Sequence, residues 1–206
     1  MPVLRTHRFA LSVALLAALW AAALFGGGLG LGLDRQIYLA LYAGNNPPTL
    51  AAAQLLSLLG RYYVLLPLGI AAAVYLAFKR RRRAALLLVI VFGARLLVEL
   101  QKSLLARPRP ILTDHLDTVS SLSFPSAHAA NSMATLVAIA LLIPVNMRSK
   151  WIGVAAAVVL SLLIGLSRVA LGVHWPSDVV GGWAFGLLWM LLMIRLASTR
   201  EPAPAA

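Results

Sequence analysis

The sequence predicts an all-α membrane protein with six transmembrane helices, from its composition, its length and the distribution of its charges. Of the 206 residues, 61% are apolar and only 12% are charged, whereas soluble domains are about half apolar and a quarter charged. A span needs about 20 mostly apolar residues, so a chain of this length can hold about six spans and no separate soluble domain. The six apolar segments are residues 9–33, 62–78, 84–102, 129–145, 151–167 and 179–194.

The first span follows a short basic leader. Residues 9–33 are uncharged over 25 positions, whereas the apolar core of a signal peptide runs for about 7 to 15 residues. We therefore expect a transmembrane helix here and not a cleaved leader. The glycine cluster Gly26 to Gly28 allows a kink or close helix packing within it.

The start of the second span has two alternatives. Residues 34–49 contain the turn-forming Asn45-Asn46-Pro47-Pro48 and are predicted to be an interfacial connection. The apolar stretch 50–60 either extends the span at 62–78 or lies at the interface, because Arg61 is charged.

The third span contains an ionisable pair. Arg95 and Glu99 lie four residues apart, so they share a helix face and can neutralise each other. Ionisable residues inside a span are candidate functional groups, and both a structural role and a role in supporting a site stay open.

Positive charges predict the orientation. An even number of spans places both termini on one side, together with the run Lys79 to Arg83 and the turn that carries Arg148 and Lys150; that side gathers 11 of the 18 Lys and Arg residues. Basic residues accumulate on the cytoplasmic side of a membrane, so both termini are predicted to be cytoplasmic. This orientation also accounts for the net charge of +12 without a nucleic-acid partner.

A second set of polar residues lies on the opposite side, at the ends of the third to sixth spans. Cations brought together there would repel one another unless an anion lies between them, and phosphate is the natural anion. The set comprises Lys102, Arg107, Arg109, Asp114, His115, Asp117, Ser126, His128, Arg168, His174 and Asp178.

Most of this set matches a three-part signature, K-x6-R-P, P-S-G-H and S-R-x5-H-x3-D. The chain therefore resembles the type 2 phosphatidate phosphatases over residues 84–194, and the resemblance implies their helical bundle. Ala127 replaces the usual glycine, which costs little if its φ angle is negative. The residues at the signature positions are Lys102, Arg109, Pro110, Pro125, Ser126, Ala127, His128, Ser167, Arg168, His174 and Asp178, and all but Ala127 match it.

The residue types agree with phosphoryl transfer. Lys102, Arg109 and Arg168 can stabilise negative charge on the phosphate oxygens. Ser126 and Ala127, at the predicted start of the fourth helix, can offer a hydroxyl and free backbone N–H groups to the same anion. These five residues are the predicted phosphate ligands. Because the cations already supply the charge, no metal or other cofactor is expected.

The two histidines are predicted to divide the nucleophile and acid roles. Asp178 lies four residues after His174, and a carboxylate that holds one ring nitrogen leaves the other free to attack. His174 is therefore the expected nucleophile, as the resemblance also implies, and His128 the expected general acid and base. Because Pro176 disfavours a continuous helix, the contact between His174 and Asp178 should span a helix start.

The predicted protein is an integral lipid phosphatase of the inner (plasma) membrane, with its site on the extracytoplasmic face. Residues 1–197 would form one membrane-embedded domain and 198–206 a disordered cytoplasmic tail. The resemblance implies undecaprenyl diphosphate, phosphatidate or phosphatidylglycerol phosphate as substrate. A lipid phosphotransferase with the same site, or a non-catalytic anion transporter, stays an alternative. The oligomeric state stays open. Arg107 is expected either to contact the substrate or to lie in the headgroup region, and His115 is interpreted as part of a polar loop with Asp114 and Asp117.

Overall fold

The computed structural model describes residues 2–28, 32–144 and 146–198, the side chains of residues 2–6 excepted. The predicted disordered tail thus lies outside the described residues, apart from Ser198. All regular secondary structure in the described part of the chain is α-helical. The helices are α1 (Pro2–Gly26), α2 (Gly32–Leu41), α3 (Pro47–Leu59), α4 (Tyr62–Ala77), α5 (Arg81–Leu105), α6 (Ala127–Leu142), α7 (Met147–Ala170) and α8 (Pro176–Ser198).

The helix lengths confirm an all-α membrane protein but not the count of six spans. Among the described residues, four helices are long and apolar enough to cross a membrane: α1, α5, α7 and α8. Helices α3 and α4, bent by 44° relative to each other, make a fifth span if they are counted as one. Helix α6, the predicted fourth span, has 16 residues and measures about 24 Å, less than the roughly 30 Å of a bilayer core.

The glycine cluster ends the first helix instead of kinking it. The predicted span 9–33 stops at Gly26, and Gly28 has a φ angle of +82°, a left-handed conformation that favours glycine. A side chain at this position would also collide with Arg107, since its Cβ would lie 2.5 Å from Arg107 Cδ.

A helix also lies where only a connection was predicted. Residues 34–41 belong to α2, which buries Tyr38 against the ring of Trp175, with 5.5 Å between ring centroids. The predicted turn does form immediately afterwards. The Asn46 side chain caps α3 by accepting a hydrogen bond from the Thr49 amide.

Helix α6 is the centre of the bundle, and it packs against α5, α7 and α8. Small residues let α8 approach it closely. A Cβ at Gly186 would lie 2.4 Å from the Ala130 carbonyl oxygen, and one at Gly182 would lie 2.7 Å from the Ser126 carbonyl oxygen. This contact positions the first turn of α6 against the second and third turns of α8.

The ends of four helices meet on one side of the bundle. These are the C-terminal ends of α5 and α7 and the N-terminal ends of α6 and α8, joined in part by residues 106–126, which contain no helix. At the other end of the bundle, Arg82, Arg83, Lys150 and Ser198 line one cavity. The structure thus separates the basic run and the turn between α6 and α7 from the predicted site.

Candidate active site

A cavity of about 470 Å³ opens where the four helix ends meet. Two of the predicted residues, Ser126 and Asp178, are fully buried behind the residues that line it. The predicted residues that line the cavity are Lys102, Arg109, Ala127, His128, Arg168 and His174.

Backbone carbonyl groups hold two of the cations in place. The buried Lys102 ammonium donates hydrogen bonds to the carbonyl oxygens of Leu122 and Ser123. Arg109 donates from Nε to the Ser121 carbonyl oxygen at 2.7 Å and from Nη1 to the Val173 carbonyl oxygen at 2.5 Å. Burial, followed by the charge of Arg168, lowers the pKa of Arg109 to about 10, so its guanidinium stays charged at neutral pH.

The third cation, Arg168, is 2% exposed. Its Nη1 donates to Ser57 Oγ at 2.5 Å and to the Asp117 carboxylate. Its Nε is buried and has no hydrogen-bond partner among the described residues. A guanidinium held from one side in this way keeps donors for a bound oxyanion.

His174 lies between a carboxylate and a cation. Its Nδ1 is 3.3 Å from Asp178 Oδ2, while its Nε2 is 3.2 Å from Arg109 Nη1. The carboxylate is the natural acceptor for a proton on Nδ1, which leaves the Nε2 lone pair directed toward the cations. Asp178 lies in the first turn of α8 and His174 precedes that helix, so the contact spans a helix start, as predicted.

Asp178 is itself held from several directions. Its Oδ2 accepts hydrogen bonds from Ser123 Oγ at 2.5 Å and from the Trp175 amide at 2.9 Å. Its Oδ1 pairs with Arg107 Nη1 at 2.9 Å. A carboxylate fixed by this many donors holds the His174 ring in one orientation.

His128, in the first turn of α6, faces the same cavity. Its Nε2 is buried without a hydrogen-bond partner among the described residues, and so is Oδ1 of Asn131 one turn later. Unpaired buried polar atoms are costly, so two of them on one wall of a cavity indicate a place for a polar ligand.

The chain that carries these cations and histidines has relatives among known proteins. The family model of the PAP2 superfamily matches residues 83–202, more than half of the chain. The chain belongs to the PAP2 superfamily. The resemblance predicted from the three-part signature is thereby confirmed.

Individual PAP2-type relatives are membrane lipid phosphatases by name. An undecaprenyl-diphosphatase of Sulfolobus acidocaldarius is 33% identical over 185 residues, 85% of this chain and 84% of that protein. Phosphatidylglycerophosphatase B of Bacillus subtilis is 37% identical over 140 residues, 66% of this chain and 68% of that protein. The crystal structure of a transmembrane PAP2-type phosphatidylglycerolphosphate phosphatase from Bacillus subtilis superposes with a TM-score of 0.80 at 28% identity, covering 94% of this chain and 97% of that one.

The alanine in the PAP2 signature causes no backbone strain. Ala127 is the first residue of α6, and the one described non-glycine residue with a positive φ angle is Ala106. The neighbouring Ser126 is the N-cap, but its hydroxyl makes no capping bond and is buried without a partner among the described residues. Its backbone N–H donates to the Asp178 carbonyl oxygen at 2.9 Å.

Arg107 takes neither of the two roles that its position in the sequence suggested, contact with substrate or with lipid headgroups. It is 7% exposed, and it connects the Asp178 carboxylate to the end of α1 by donating to the carbonyl oxygens of Ala23 and Leu24. Its position between Lys102 and Arg109, within the PAP2 signature region, indicated that Arg107 lies near the site. No feature of the sequence predicted which groups it contacts.

Two further residues contact residues of the PAP2 signature in ways that the sequence did not indicate: Asp117, which was assigned to a polar loop, and Ser123. Asp117 bridges Arg168 and Arg61, with a distance of 2.7 Å to Arg61 Nη2. Burial alone would raise the pKa of Asp117, but the two arginines lower it, so it is a carboxylate. Ser123 contacts both His174 and Asp178. Nearby, His115 Nε2 lies 2.7 Å from the Pro110 carbonyl oxygen.

The described residues contain no group of three or more His, Cys, Asp or Glu side chains that could hold a metal ion.

Burial of His174 makes the stability of the protein depend on pH. Burial, followed by the charges of Arg109, Lys102 and Arg168, places the pKa of His174 well below its usual range. In the unfolded chain this histidine therefore takes up a proton near pH 6.5, whereas in the folded protein it does not. Below that pH the free energy of unfolding falls by up to about 1.4 kcal/mol per pH unit. We expect the melting temperature in detergent to fall between pH 7.5 and 5.5, and to fall less in His174→Ala. A melting temperature that rises on acidification would mean that Asp178 stabilises a charged imidazolium instead.

Gly60, at the bend between α3 and α4, allows close contact with His128. A Cβ there would lie 2.4 Å from Ile164 Cγ2 and 2.9 Å from His128 Cδ2, although the φ angle of −85° suits any residue. We expect Gly60→Ala to displace the imidazole and to lower kcat by about 10- to 100-fold. Gly153→Ala is the control, because its Cβ would lie an ordinary 3.5 Å from Ala140. Equal kcat values for both variants would contradict the expected displacement.

Proposed function

We propose that this PAP2 protein hydrolyses a lipid phosphate or diphosphate through a phosphohistidine formed on His174. The observation that carries the proposal is the His174 ring, with Nδ1 against Asp178 and Nε2 beside the Arg109 guanidinium in the cavity. The names of its relatives support a lipid phosphate as the substrate class.

The reaction has two steps. In the first, Nε2 of His174 attacks phosphorus, the bond to the lipid oxygen or to the leaving phosphate breaks, and the departing oxygen takes a proton from His128. In the second, His128 accepts a proton from water, which attacks phosphorus and breaks the P–N bond, so that inorganic phosphate leaves and His174 is restored. Lys102, Arg109 and Arg168, with the first turn of α6 at Ser126 and Ala127, stabilise the charge on the phosphate oxygens throughout.

The placement in the membrane is part of the proposal. Residues 1–197 form one domain in the inner membrane, and the 16-residue α6 is the fourth of its six spans. The end with Arg82, Arg83 and Lys150 faces the cytoplasm with both termini, as the excess of basic residues there favours, and the active site faces outward. The lipid chain stays in the bilayer and enters between helices, while the headgroup reaches the cavity.

The test is release of inorganic phosphate by the detergent-purified protein. Undecaprenyl diphosphate, phosphatidate and phosphatidylglycerol phosphate are each supplied with and without EDTA. We expect release that survives EDTA, because the cations carry the charge that a metal would otherwise neutralise. Phosphoryl transfer to an added second lipid without phosphate release would make the protein a transferase. Uptake of the anion by the same protein reconstituted into liposomes, with neither reaction, would make it a transporter.

A further inference from the structure

The cavity extends beyond the residues of the PAP2 signature. On the side of the bend between α3 and α4, its wall includes Arg61, Tyr62 and Tyr63, and on α5 it includes Arg95 and Glu99, which precede Lys102. These charged side chains have no role in the two reaction steps above.

Arg61 lies next to the phosphate-binding cation Arg168. One oxygen of the Asp117 carboxylate pairs with Arg61 and the other with Arg168. The two guanidinium groups are therefore separated by the width of a single anionic group. If an oxyanion of a ligand binds Arg168, a second anionic group adjacent to it in the ligand lies within reach of Arg61.

The charges of the cavity are not balanced within the protein. Its wall carries five cations, Arg61, Arg95, Lys102, Arg109 and Arg168, and two carboxylates, Glu99 and Asp117, which leaves three positive charges in excess. A phosphate monoester carries at most about two negative charges. A lipid diphosphate, or a monoester together with a phosphodiester, carries about three.

Part of the excess positive charge lies on two arginines, Arg61 and Arg168, that share the single carboxylate of Asp117. Arg95 has its own partner, Glu99, at 2.6 Å, and it also stacks over the ring of Tyr62 at 4.9 Å. Arg61 and Arg168 instead share one carboxylate. Arg61 is also 38% exposed and binds Asp117 through Nη2, so other N–H groups of its guanidinium can reach a ligand.

We propose that Arg61 binds a second phosphate group of the substrate, next to the phosphate that is cleaved. The site then selects lipids that carry two phosphates, either as a diphosphate or as a phosphodiester beside a terminal monoester, over phosphatidate, which carries one. This inference rests on the proposed function, since it concerns the substrate of the same site.

The experiment compares Arg61→Gln with the parent on matched pairs of substrates. One pair is farnesyl diphosphate and farnesyl monophosphate, and the other is phosphatidylglycerol phosphate and phosphatidate with the same acyl chains. We expect kcat/KM for a two-phosphate substrate to fall about 10- to 100-fold, because one charge-assisted hydrogen bond is lost. For the one-phosphate partner of the same pair, kcat/KM should change less than about threefold. The pair that shows the difference tells whether the second group is part of a diphosphate or a phosphodiester.

Two variants act as controls. Arg35→Gln removes the same charge from an exposed position on α2 and should leave both members of each pair unchanged. Arg61→Lys keeps the charge and should retain more of the two-phosphate activity than Arg61→Gln. The retained one-phosphate activity shows in the same assay that the variant is folded.

Losses that are equal within each pair, or absent from both pairs, would overturn the inference, and so would a parent enzyme that prefers phosphatidate to phosphatidylglycerol phosphate. A parent that releases phosphate from none of the four substrates would instead overturn the proposed function. The two failures are therefore distinguishable.

Discussion

Replacing His174 by alanine is expected to abolish phosphate release, with a fall in kcat of about four orders of magnitude or more. The proposed mechanism has no other group to form the covalent intermediate, and the remaining cations can only bind the substrate. The measurement is phosphate release from the best lipid substrate, with binding of orthovanadate followed in parallel. We expect the variant to lose turnover but to keep binding orthovanadate, because Lys102, Arg109 and Arg168 are still in place to hold the anion.

The covalent intermediate provides an independent check. Rapid quenching of the parent with ³²P-labelled substrate should trap label that is stable to alkali and labile to acid, as expected for phosphohistidine, and His174→Ala should trap none. The control is His115→Ala, an exposed histidine near the site, which should keep its activity within about threefold. Label that persists in the His174 variant would assign the nucleophile to another residue.

Replacing His128 by alanine is expected to slow lipid hydrolysis by about 10²- to 10⁴-fold, the usual contribution of a general acid. The effect should depend on the leaving group. With p-nitrophenyl phosphate, whose leaving group departs without a proton, the first step should survive. The variant should then release nitrophenol in a burst equal to the enzyme concentration and stall as the phosphoenzyme, because His128 is also the base for the second step.

The comparison of the two substrates decides the role of His128. Equal losses of kcat on the lipid and on p-nitrophenyl phosphate, without a burst, would mean that this histidine binds phosphate and does not transfer a proton. The unpaired Nε2 in the cavity wall is available for either role, so the leaving-group dependence is the informative measurement.

The cluster of signature residues could be predicted because their spacing and their position at span ends are both local properties of the sequence. The partners of those residues could not. Arg107 and Asp178 are 71 positions apart, and Asp117 and Arg168 are 51 apart. An isolated charge in a loop has no periodicity that would indicate such a contact.

The helix boundaries were predicted least well where the membrane does not set them. Helix α6 is enclosed by other helices, so its length follows from its neighbours and not from the thickness of the bilayer. Helix α2 is short, and its 10 residues carry Asp34, Arg35 and Gln36 in the first half. A polar stretch of this kind resembles a connection in composition.

The contact that Arg107 makes with α1 connects the first helix to the active site. This helix exposes most of its surface, since only 6% of its apolar window is buried, and it would ordinarily be regarded as an anchor. Its last carbonyl groups nevertheless share one guanidinium with the Asp178 carboxylate. A truncated enzyme without the first helix would lose the alignment of Asp178, the partner of the proposed nucleophile His174, as well as an attachment to the bilayer. Anchoring and chemistry are therefore not separable parts of this chain.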